Sequence, residues 1–354
     1  MSDIFYIGGY QKDDAYCLHC CEYSGSAMRI LSAYEVSNAS YLCLSPNKKY
    51  LYAVIETNTF KGVKGGGVAA FAIEAGGKLR FINDAPTEGE HPCHVSVSRD
   101  GRSLYVANYT GGSSTFFNVL DNGGIGAKTA FIDHNKCGIP SMAVASRQAN
   151  PHAHFIQPFG DIGWQPLWVC DLGLDALLVF NDMGNELTRL AMPGGFGLRH
   201  IAFHHCLPVA YVVGELSAEV IAVEYTINAN AELILKAGLP VSVLPSPDAK
   251  VNCAAIRVSP DGRHVLVSNR GGGADSMVVL KLDNNGSITG LSNIHKTRGV
   301  CPRDFAFTPE GDGIVVAYQD SEFAELLIWD GSGKLTPTAV ELAVTKPTCV
   351  LFQA

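Results

Sequence analysis

Apolar and polar residues alternate along most of the chain in short runs, and these runs recur in a fixed order. Six stretches share one pattern: an alternating apolar run, a turn with Pro, Asp or Gly, and a second apolar run that ends in polar residues. Alternation with a period of two predicts β-strands, and turn residues between paired runs predict hairpins. The six stretches begin near Tyr41, His94, His154, His200, Ala255 and Asp304.

The spacing of the repeats is typical of β-propeller blades, each built from four short antiparallel strands. A third strand-like run follows in most repeats, at residues 176–180, 220–225, 277–282 and 325–329. The repeats are 53, 63, 43, 55 and 49 residues apart when they are aligned on Tyr52, Tyr105, Trp168, Tyr211, Leu266 and Val315.

The two ends of the chain supply strand-like runs but no complete repeat. These runs are residues 4–7 and 15–21 near the N-terminus and residues 349–352 near the C-terminus. We expect them to pair in one shared blade, which closes the ring and removes free sheet edges. The prediction is an all-β, seven-bladed propeller in a single domain over residues 1–354, with loops at 61–67 and 135–150. Two separate β domains are the alternative, but no linker divides the chain.

Composition excludes several classes of protein. Hydrophobic residues make up 47% and charged residues 17% of the chain, which provides a core and argues against disorder. The net charge of −8 argues against a nucleic-acid partner, because phosphate-backbone binding needs a basic face. No membrane-length apolar run and no signal-peptide pattern is present, and the eleven cysteines are scattered. We expect a cytoplasmic protein with reduced thiols and no membrane partner; its oligomeric state does not follow from the sequence.

Equivalent positions in the repeats place polar side chains on one rim. In an antiparallel hairpin the start of the first strand lies beside the end of the second, so both surround the mouth of the channel. Convergent polar groups in a concave site are the default ligand site. This rule brings together His94, His154, Arg199, Glu215, Arg270 and Arg303. We assign substrate binding to His94, His152, Asn108, Asn269 and Arg303.

His154 and the arginines each have a structural alternative. His154 is a hydrogen-bonded structural histidine if it stands alone, but its shared rim with Glu215 and two arginines favours a functional role. Arg199 and Arg270 can bind carboxylate or phosphate at two points, or can form a rim salt bridge with Glu215. His152 is the weaker of the two neighbouring histidines.

Arg303 can instead form a purely structural ion pair with Asp304.

Metal and cofactor motifs are weak throughout the chain. The C-x-x-C at residues 17–20 has no second pair at zinc spacing, and no phosphate-loop sequence follows the glycine runs. We therefore expect neither a metal nor a cofactor.

The sequence resembles the lactonase family of seven-bladed propellers over nearly its whole length. That family includes the propeller-type 6-phosphogluconolactonases and the eukaryotic 3-carboxy-cis,cis-muconate lactonizing enzymes. The most specific matches are Leu198-Arg199-His200, Gly214-Glu215-Leu216, residues 256–263 leading to Ser268-Asn269-Arg270, and Pro302-Arg303-Asp304-Phe305. The resemblance implies that His154, Arg199, Glu215 and Arg270 line the central cleft as catalytic residues.

The resemblance also implies a small-molecule lactone substrate that carries phosphate or carboxylate. The leading expectation is metal-independent hydrolysis of 6-phosphogluconolactone to 6-phosphogluconate, a step of the pentose phosphate pathway. His154 or Glu215 would activate water, one arginine would stabilise the oxyanion and the other would bind the anionic group. The alternatives are a muconate-type cycloisomerase acting on a polycarboxylate and a non-enzymatic propeller scaffold.

Overall fold

Seven antiparallel sheets surround a central channel. The structure, a computed structural model, describes residues 2–11, 16–160, 165–228, 230 and 232–353. Within these ranges six of the seven sheets have four strands and one has a short fifth strand. The fold is the all-β, seven-bladed propeller that the repeats predict, and each of the six repeats forms one blade.

The strands follow the chain from blade to blade. The first three, which belong to blade 7, are β1 (Asp3–Gly9), β2 (Leu18–Tyr23) and β3 (Met28–Tyr34). Blade 1 and a small hairpin inside it contain β4 (Leu42–Leu44), β5 (Tyr50–Ile55), β6 (Thr59–Phe60), β7 (Val63–Lys64), β8 (Gly67–Ile73) and β9 (Leu79–Pro86). Blade 2 contains β10 (Pro92–Val97), β11 (Ser103–Asn108), β12 (Ser113–Val119) and β13 (Ile125–Asp133). Blade 3 contains β14 (Ala153–Pro158), β15 (Leu167–Asp171), β16 (Ala176–Phe180) and β17 (Glu186–Ala191).

The remaining blades repeat this plan. Blade 4 contains β18 (Leu198–Phe203), β19 (Val209–Gly214), β20 (Glu219–Ile227), β21 (Leu233–Ala237) and β22 (Val241–Ser242). Blade 5 contains β23 (Asn252–Val258), β24 (His264–Arg270), β25 (Ser276–Leu282) and β26 (Ile288–Lys296). Blade 6 contains β27 (Pro302–Phe307), β28 (Gly313–Tyr318), β29 (Phe323–Trp329) and β30 (Leu335–Ala343), and the last strand is β31 (Pro347–Phe352).

Blade 7 joins the two ends of the chain. Its strand order is β3-β2-β1-β31, so the C-terminal strand is innermost and pairs antiparallel with β1, with Tyr6 opposite Leu351. This confirms the shared closing blade. The predicted strand 15–21 is observed as β2, while Ala15 lies outside the described residues.

The innermost strands of neighbouring blades contact one another around a closed ring: β4, β10, β14, β18, β23, β27 and β31. The hydrophobic core is divided in the same way into seven clusters, each between two adjacent blades. Alternating residues therefore bury both faces of each sheet, one against each neighbouring blade.

Tyrosines on the second strand of three sheets tie adjacent blades together. The Tyr6 hydroxyl donates to Gly77 O at 2.9 Å, that of Tyr52 to Gly123 O at 3.0 Å, and that of Tyr211 to Gly286 O at 2.6 Å. Each acceptor lies between the third and fourth strands of the next blade. A buried hydroxyl without a hydrogen-bond partner destabilises a protein. These bonds provide the partner, so each large tyrosine ring can pack in the core.

The two predicted loops contain some regular structure. Residues 61–67 are corrected in part, because β6 and β7 form a short hairpin there and β8 begins at Gly67. The long stretch after blade 2 holds a 3₁₀ helix (His134–Lys136) and α1 (Ala145–Gln148), and blade 1 holds a 3₁₀ turn (Ala75–Gly77). In the ranges described, no helix has the length and apolarity needed to cross a membrane. All eleven cysteines fall within those ranges and are free thiols.

Candidate active site

Four of the predicted site residues contact one another at the mouth of the channel, with Glu215 at their centre. Oε2 of Glu215 lies 2.8 Å from Nη1 of Arg199 and 3.0 Å from Nη2 of Arg270. The same oxygen is 3.9 Å from Nε2 of His154, which in turn contacts Nη1 of Arg199. The structure thus brings together side chains from blades 3, 4 and 5; their catalytic role stays a prediction.

β-bulges explain why side chains from separate strands point to one place. In four blades the first pair of the innermost strand is followed by a register shift, which leaves an extra residue unpaired, and in blade 5 the shift follows the second pair. A bulge re-aims the side chain of its extra residue out of the sheet. In blades 2, 3, 4 and 6 these extra residues are Cys93, His154, Arg199 and Arg303.

A small pocket with a volume of about 20 Å³ opens between the innermost strands. Arg303 lies in its wall, as the prediction for this residue requires. The Asp304 carboxylate is 2.8 Å from Arg257, so the predicted alternative of an Arg303–Asp304 pair is wrong. The pocket is lined by Tyr10, Ser40, Tyr41, Glu56, Cys93, His154, Arg199, His200, Arg303, Asp304 and Thr348.

The surrounding arginines fix Glu215 as a carboxylate. Burial alone would raise its pKa, but the charges of Arg270, Arg199 and Arg147 outweigh burial and hold the pKa well below the usual range. The Glu215 side chain is 3% exposed. Both oxygens of Glu215 are occupied by guanidinium groups, so its main effect is to orient the arginines.

His154 is held in its neutral form. Burial and the nearby Arg199 charge keep its pKa well below the usual value, although Glu215 opposes them. Its Nδ1 lies 3.8 Å from Sγ of Cys93, and Nε2 faces Arg199 and Glu215. A neutral imidazole at the pocket wall has the protonation state that a general base requires.

Arg199 and Arg270 differ in how tightly they are held. Nε of Arg199 donates to Ala254 O at 2.9 Å, and the residue is 3% exposed, so its guanidinium is fixed. Nε of Arg270 is buried without a hydrogen-bond partner among the residues described. Burial and the charge of Arg303 lower the pKa of Arg270 to about 9. An unpaired donor beside a second arginine suits an incoming anion.

Arg147 and Tyr109 also belong to this site, although the sequence analysis did not assign them a role. Nη2 of Arg147 is 2.6 Å from Oε1 of Glu215 and 3.1 Å from the Tyr109 hydroxyl. Tyr109 occupies in blade 2 the position that Glu215 occupies in blade 4, so the repeat alignment carried a signal for it. Arg147 lies outside the repeats in α1, and nothing in the repeat pattern points to it.

His152 lies beside the site rather than in the pocket wall. Its ring stacks on Tyr109, with centroids 4.5 Å apart, and its Nδ1 is 2.9 Å from Tyr109 O. Of the two neighbouring histidines, only His154 lines the pocket. His152 therefore positions Tyr109.

His94 is packed in an aromatic cluster instead of the ionic group. Its ring lies 4.2 Å from that of Tyr41 and 4.3 Å from that of Phe155, and its Nδ1 accepts from Ile156 N at 3.3 Å. Burial, with a contribution from Arg257, lowers the pKa of His94 to about 3. The structure thus gives His94 a packing role below the site and no direct access to substrate.

Asn108 and Asn269 are not brought to the pocket. Both are fully buried. The Asn108 amide donates to Ser113 and Thr115 in its own blade, and that of Asn269 donates to Val243 O at 2.6 Å. Their proposed substrate binding is corrected here, because the Asn108 amide is used to tie β11 to β12 and the Asn269 amide is used to tie β24 to the segment after β22.

No cluster of three or more His, Cys, Asp or Glu side chains in the described ranges could hold a metal ion. The centre is instead rich in guanidinium groups: Arg147, Arg199, Arg270 and Arg303 surround Glu215 and Glu56. Such an arrangement selects an anionic ligand and can stabilise negative charge that develops on an oxygen.

Comparison with known proteins shows the family to which this fold belongs. A family model described as a seven-bladed β-propeller lactonase matches residues 4–352. The 6-phosphogluconolactonase of Bacillus subtilis is 30% identical over 99% of this chain and 98% of its own. A crystal structure described as a putative 6-phosphogluconolactonase from Bacteroides fragilis superposes with a TM-score of 0.88 and 28% identity, covering 99% of this chain and 98% of that one.

A periplasmic gluconolactonase from Pseudomonas aeruginosa has the same fold, with a TM-score of 0.89 and 26% identity over 100% of this chain and 99% of its own. The likeness therefore extends over the whole ring and includes every blade that contributes to the pocket. The chain belongs to the lactonase family of seven-bladed β-propellers.

Proposed function

We propose that this protein hydrolyses 6-phosphogluconolactone to 6-phosphogluconate in the pentose phosphate pathway. The observation that carries the proposal is the set of four guanidinium groups gathered around Glu215 in a chain whose net charge is −8, two of which, Arg199 and Arg303, line the adjacent pocket. A phosphorylated lactone supplies both the anion that such a site binds and a carbonyl group that becomes an oxyanion. Relatives of this chain carry the same activity in their names.

His154 is the group that activates water in this proposal. It lines the pocket and is neutral, whereas Glu215 is a carboxylate held by three arginines. When the substrate carbonyl takes the hydrogen bond from Nη1 of Arg199, Nε2 of His154 becomes free to accept a proton from water. Of the two candidate bases in the sequence analysis, the site geometry favours His154.

Arg199 and Arg270 have different roles in the proposed reaction. Arg199 is fixed by Ala254 and lies beside His154, which suits stabilisation of the oxyanion next to the attacking water. Arg270 has an unpaired Nε in the described structure and lies near Arg303, which suits the phosphate. This arrangement needs no metal, because the guanidinium groups supply the positive charge.

The experiment is a panel of phosphorylated and free sugar lactones assayed with and without a chelator. We expect hydrolysis of 6-phosphogluconolactone that the chelator leaves unchanged, and loss of at least about a hundredfold in kcat for His154→Ala. Activity abolished by the chelator would contradict the metal-free proposal. The lactone-forming reaction on polycarboxylates is disfavoured, since the named relatives are lactonases.

A cytoplasmic location is also part of the proposal. Its support is the set of eleven free thiols, ten of which are buried or partly buried and none of which forms a disulfide in the ranges described. Fractionation of the producing cells, with the lactonase assay as the readout, tests it. Activity in an extracytoplasmic fraction would contradict it.

A further inference from the structure

The pocket wall contains a second carboxyl group that the proposed mechanism does not yet use. Glu56 follows β5 in blade 1 and occupies the position in its repeat that Glu215 occupies in blade 4. It lines the same pocket as His154 and Arg199. The two glutamates have opposite surroundings: Glu215 contacts three arginines, and Glu56 contacts two hydroxyl groups.

Two hydroxyl groups orient the Glu56 carboxyl. The Tyr10 hydroxyl lies 3.1 Å from Oε1 and 3.2 Å from Oε2, and the Ser40 hydroxyl donates to Oε2. Nη2 of Arg303 donates to the Tyr10 hydroxyl at 3.4 Å. Because these contacts come from blades 1, 6 and 7, the carboxyl is held in one plane at the pocket wall.

Burial favours the protonated form of this carboxyl. It raises the pKa of Glu56, and the net shift stays upward although the Ser40 and Tyr10 hydrogen bonds and the charges of Arg303 and His91 act in the opposite direction. The Tyr10 hydroxyl and the Cys93 thiol are also titratable groups near it, and burial raises the pKa of both. Glu56 and Glu215 therefore form a pair with pKa values shifted in opposite directions, as in acid–base sites.

Hydrolysis of a sugar lactone has a second half to which the roles proposed above assign no residue. The bond between the acyl carbon and the ring oxygen must break, and the ring oxygen leaves as an alkoxide unless it is protonated. We infer that Glu56 is the general acid that delivers this proton, from the wall of the pocket that Tyr10 and Ser40 share. The inference rests on the proposed function.

The proton balance closes over one turnover. Water gives one proton to His154 as its oxygen bonds to the acyl carbon, and the tetrahedral intermediate then breaks its bond to the ring oxygen. Glu56 gives its proton to that oxygen, which leaves as a hydroxyl group. The His154 imidazolium then returns a proton to Glu56 through solvent, and the product carboxylic acid ionises. The net reaction consumes one water and releases one proton.

The test compares wild type, Glu56→Gln and Glu74→Gln on 6-phosphogluconolactone, with kcat and KM measured separately and spontaneous hydrolysis subtracted. Glu74 is in the same blade, on the surface, paired with Arg80 at 2.9 Å, and serves as the control. We expect kcat to fall at least about a hundredfold for Glu56→Gln with KM within about threefold, and no change for the control. A raised KM with an unchanged kcat would show that Glu56 only binds a sugar hydroxyl, and would overturn the inference.

A pH profile keeps the test decisive if Glu56→Gln does not fold. The wild-type kcat should decline on the alkaline side as Glu56 ionises. In Ser40→Ala the alkaline decline of kcat should move to higher pH, because the variant removes a hydrogen bond that favours the ionised carboxyl of Glu56. A decline that stays in place would contradict the assignment. Wild type with no lactonase activity would refute the proposed function instead, so the two failures are distinguishable.

Discussion

Arg147 and Glu215 are 68 residues apart in the chain, yet Nη2 of Arg147 lies 2.6 Å from Oε1 of Glu215. The other oxygen of Glu215 contacts Arg199 and Arg270. The segment between blades 2 and 3 thus supplies the site with a cation from outside the repeat plan. Because the Arg147 side chain is 35% exposed, it lies at the mouth of the site rather than at its base.

Substitution of Arg147 by Ala should weaken substrate binding more than it slows chemistry. Arg199 and Arg270 still orient Glu215, but one positive charge at the mouth is lost. We expect KM for 6-phosphogluconolactone to rise about tenfold, or about 1.4 kcal/mol, with kcat within about threefold of wild type. Steady-state kinetics measures both. Arg189→Ala is the control, since Arg189 pairs only with nearby Glu186 on the surface of blade 3 in the described structure. A hundredfold loss of kcat at unchanged KM would place Arg147 at the reacting atoms instead.

Substitution of Arg270 by Ala should reduce the preference for phosphorylated lactones. Its unpaired Nε and its place near Arg303 make it the candidate phosphate ligand. A hydrogen bond between charged groups contributes about 1.5–3 kcal/mol, so kcat/KM for the phosphorylated lactone should fall about tenfold to a hundredfold. The value for the unphosphorylated lactone should change much less.

Arg263→Ala is the matched control, because this exposed arginine belongs to the same blade but lies outside the pocket. Equal losses on both lactones would assign Arg270 to the oxyanion rather than to the phosphate. Full activity of Arg270→Ala on both would remove it from the site.

The ring and the central contacts were predictable because they repeat. Strand pairing fixes which residues of each repeat lie at the same height, so the positions of Arg199, Glu215 and Arg270 in their repeats were enough to bring them together. The same reading placed Asn108 and Asn269 at the channel mouth and was wrong about where their amides point. Side chains alternate between faces of a strand, and a shift of one residue along it reverses the direction.

The repeat pattern did not predict the β-bulges in the innermost strands. His154 is the extra residue of the bulge in blade 3 and faces the pocket, whereas the extra residue in blade 2 is Cys93. His94, one position after Cys93, packs against Tyr41 instead. Local alternation does not reveal such a register shift, because the hydrophobic pattern continues on either side of it. Arg147 was missed for a different reason: it lies in a connection without a counterpart in the other blades.

Three fully buried histidines near the pocket should make a large contribution to the pH dependence of stability. The pKa values of His94, His154 and His200 are all lowered by burial, so these groups stay neutral in the folded protein. In the unfolded chain each binds a proton near pH 6.5. Protonation below this pH therefore favours the unfolded state, and these groups have no such effect well above it.

We expect the free energy of unfolding to fall by about 4 kcal/mol between pH 7 and pH 5.5 through these groups. Denaturant titrations across this range measure it. His200→Phe should reduce the loss to about two-thirds, since it removes one of the three groups and Nδ1 of His200 has no partner in the residues described. A pH-independent midpoint in this window would contradict the burial of neutral histidines.

Ser114, His134 and Asp171 form a chain of hydrogen bonds that looks like a hydrolytic triad. Nε2 of His134 is 3.1 Å from the Ser114 hydroxyl, and Nδ1 is 2.8 Å from Oδ2 of Asp171. All three side chains are fully buried between blades 2 and 3, and none of them lines the central pocket. A nucleophile must reach its substrate, so we interpret the group as structural.

His134→Ala should therefore unfold more easily while its folded molecules keep normal activity. The substitution leaves the buried Asp171 side chain without its side-chain partner, and a buried polar group that loses its hydrogen-bond partner costs about 1–3 kcal/mol. Asp171 still accepts from the backbone of His152 and Leu174, both at 2.9 Å, so the segment that carries His152 should keep its place. Denaturant unfolding and kcat measured per folded molecule separate the two effects. Labelling of Ser114 by a fluorophosphonate in the native protein would contradict the structural role, because the reagent reaches only an accessible, activated hydroxyl.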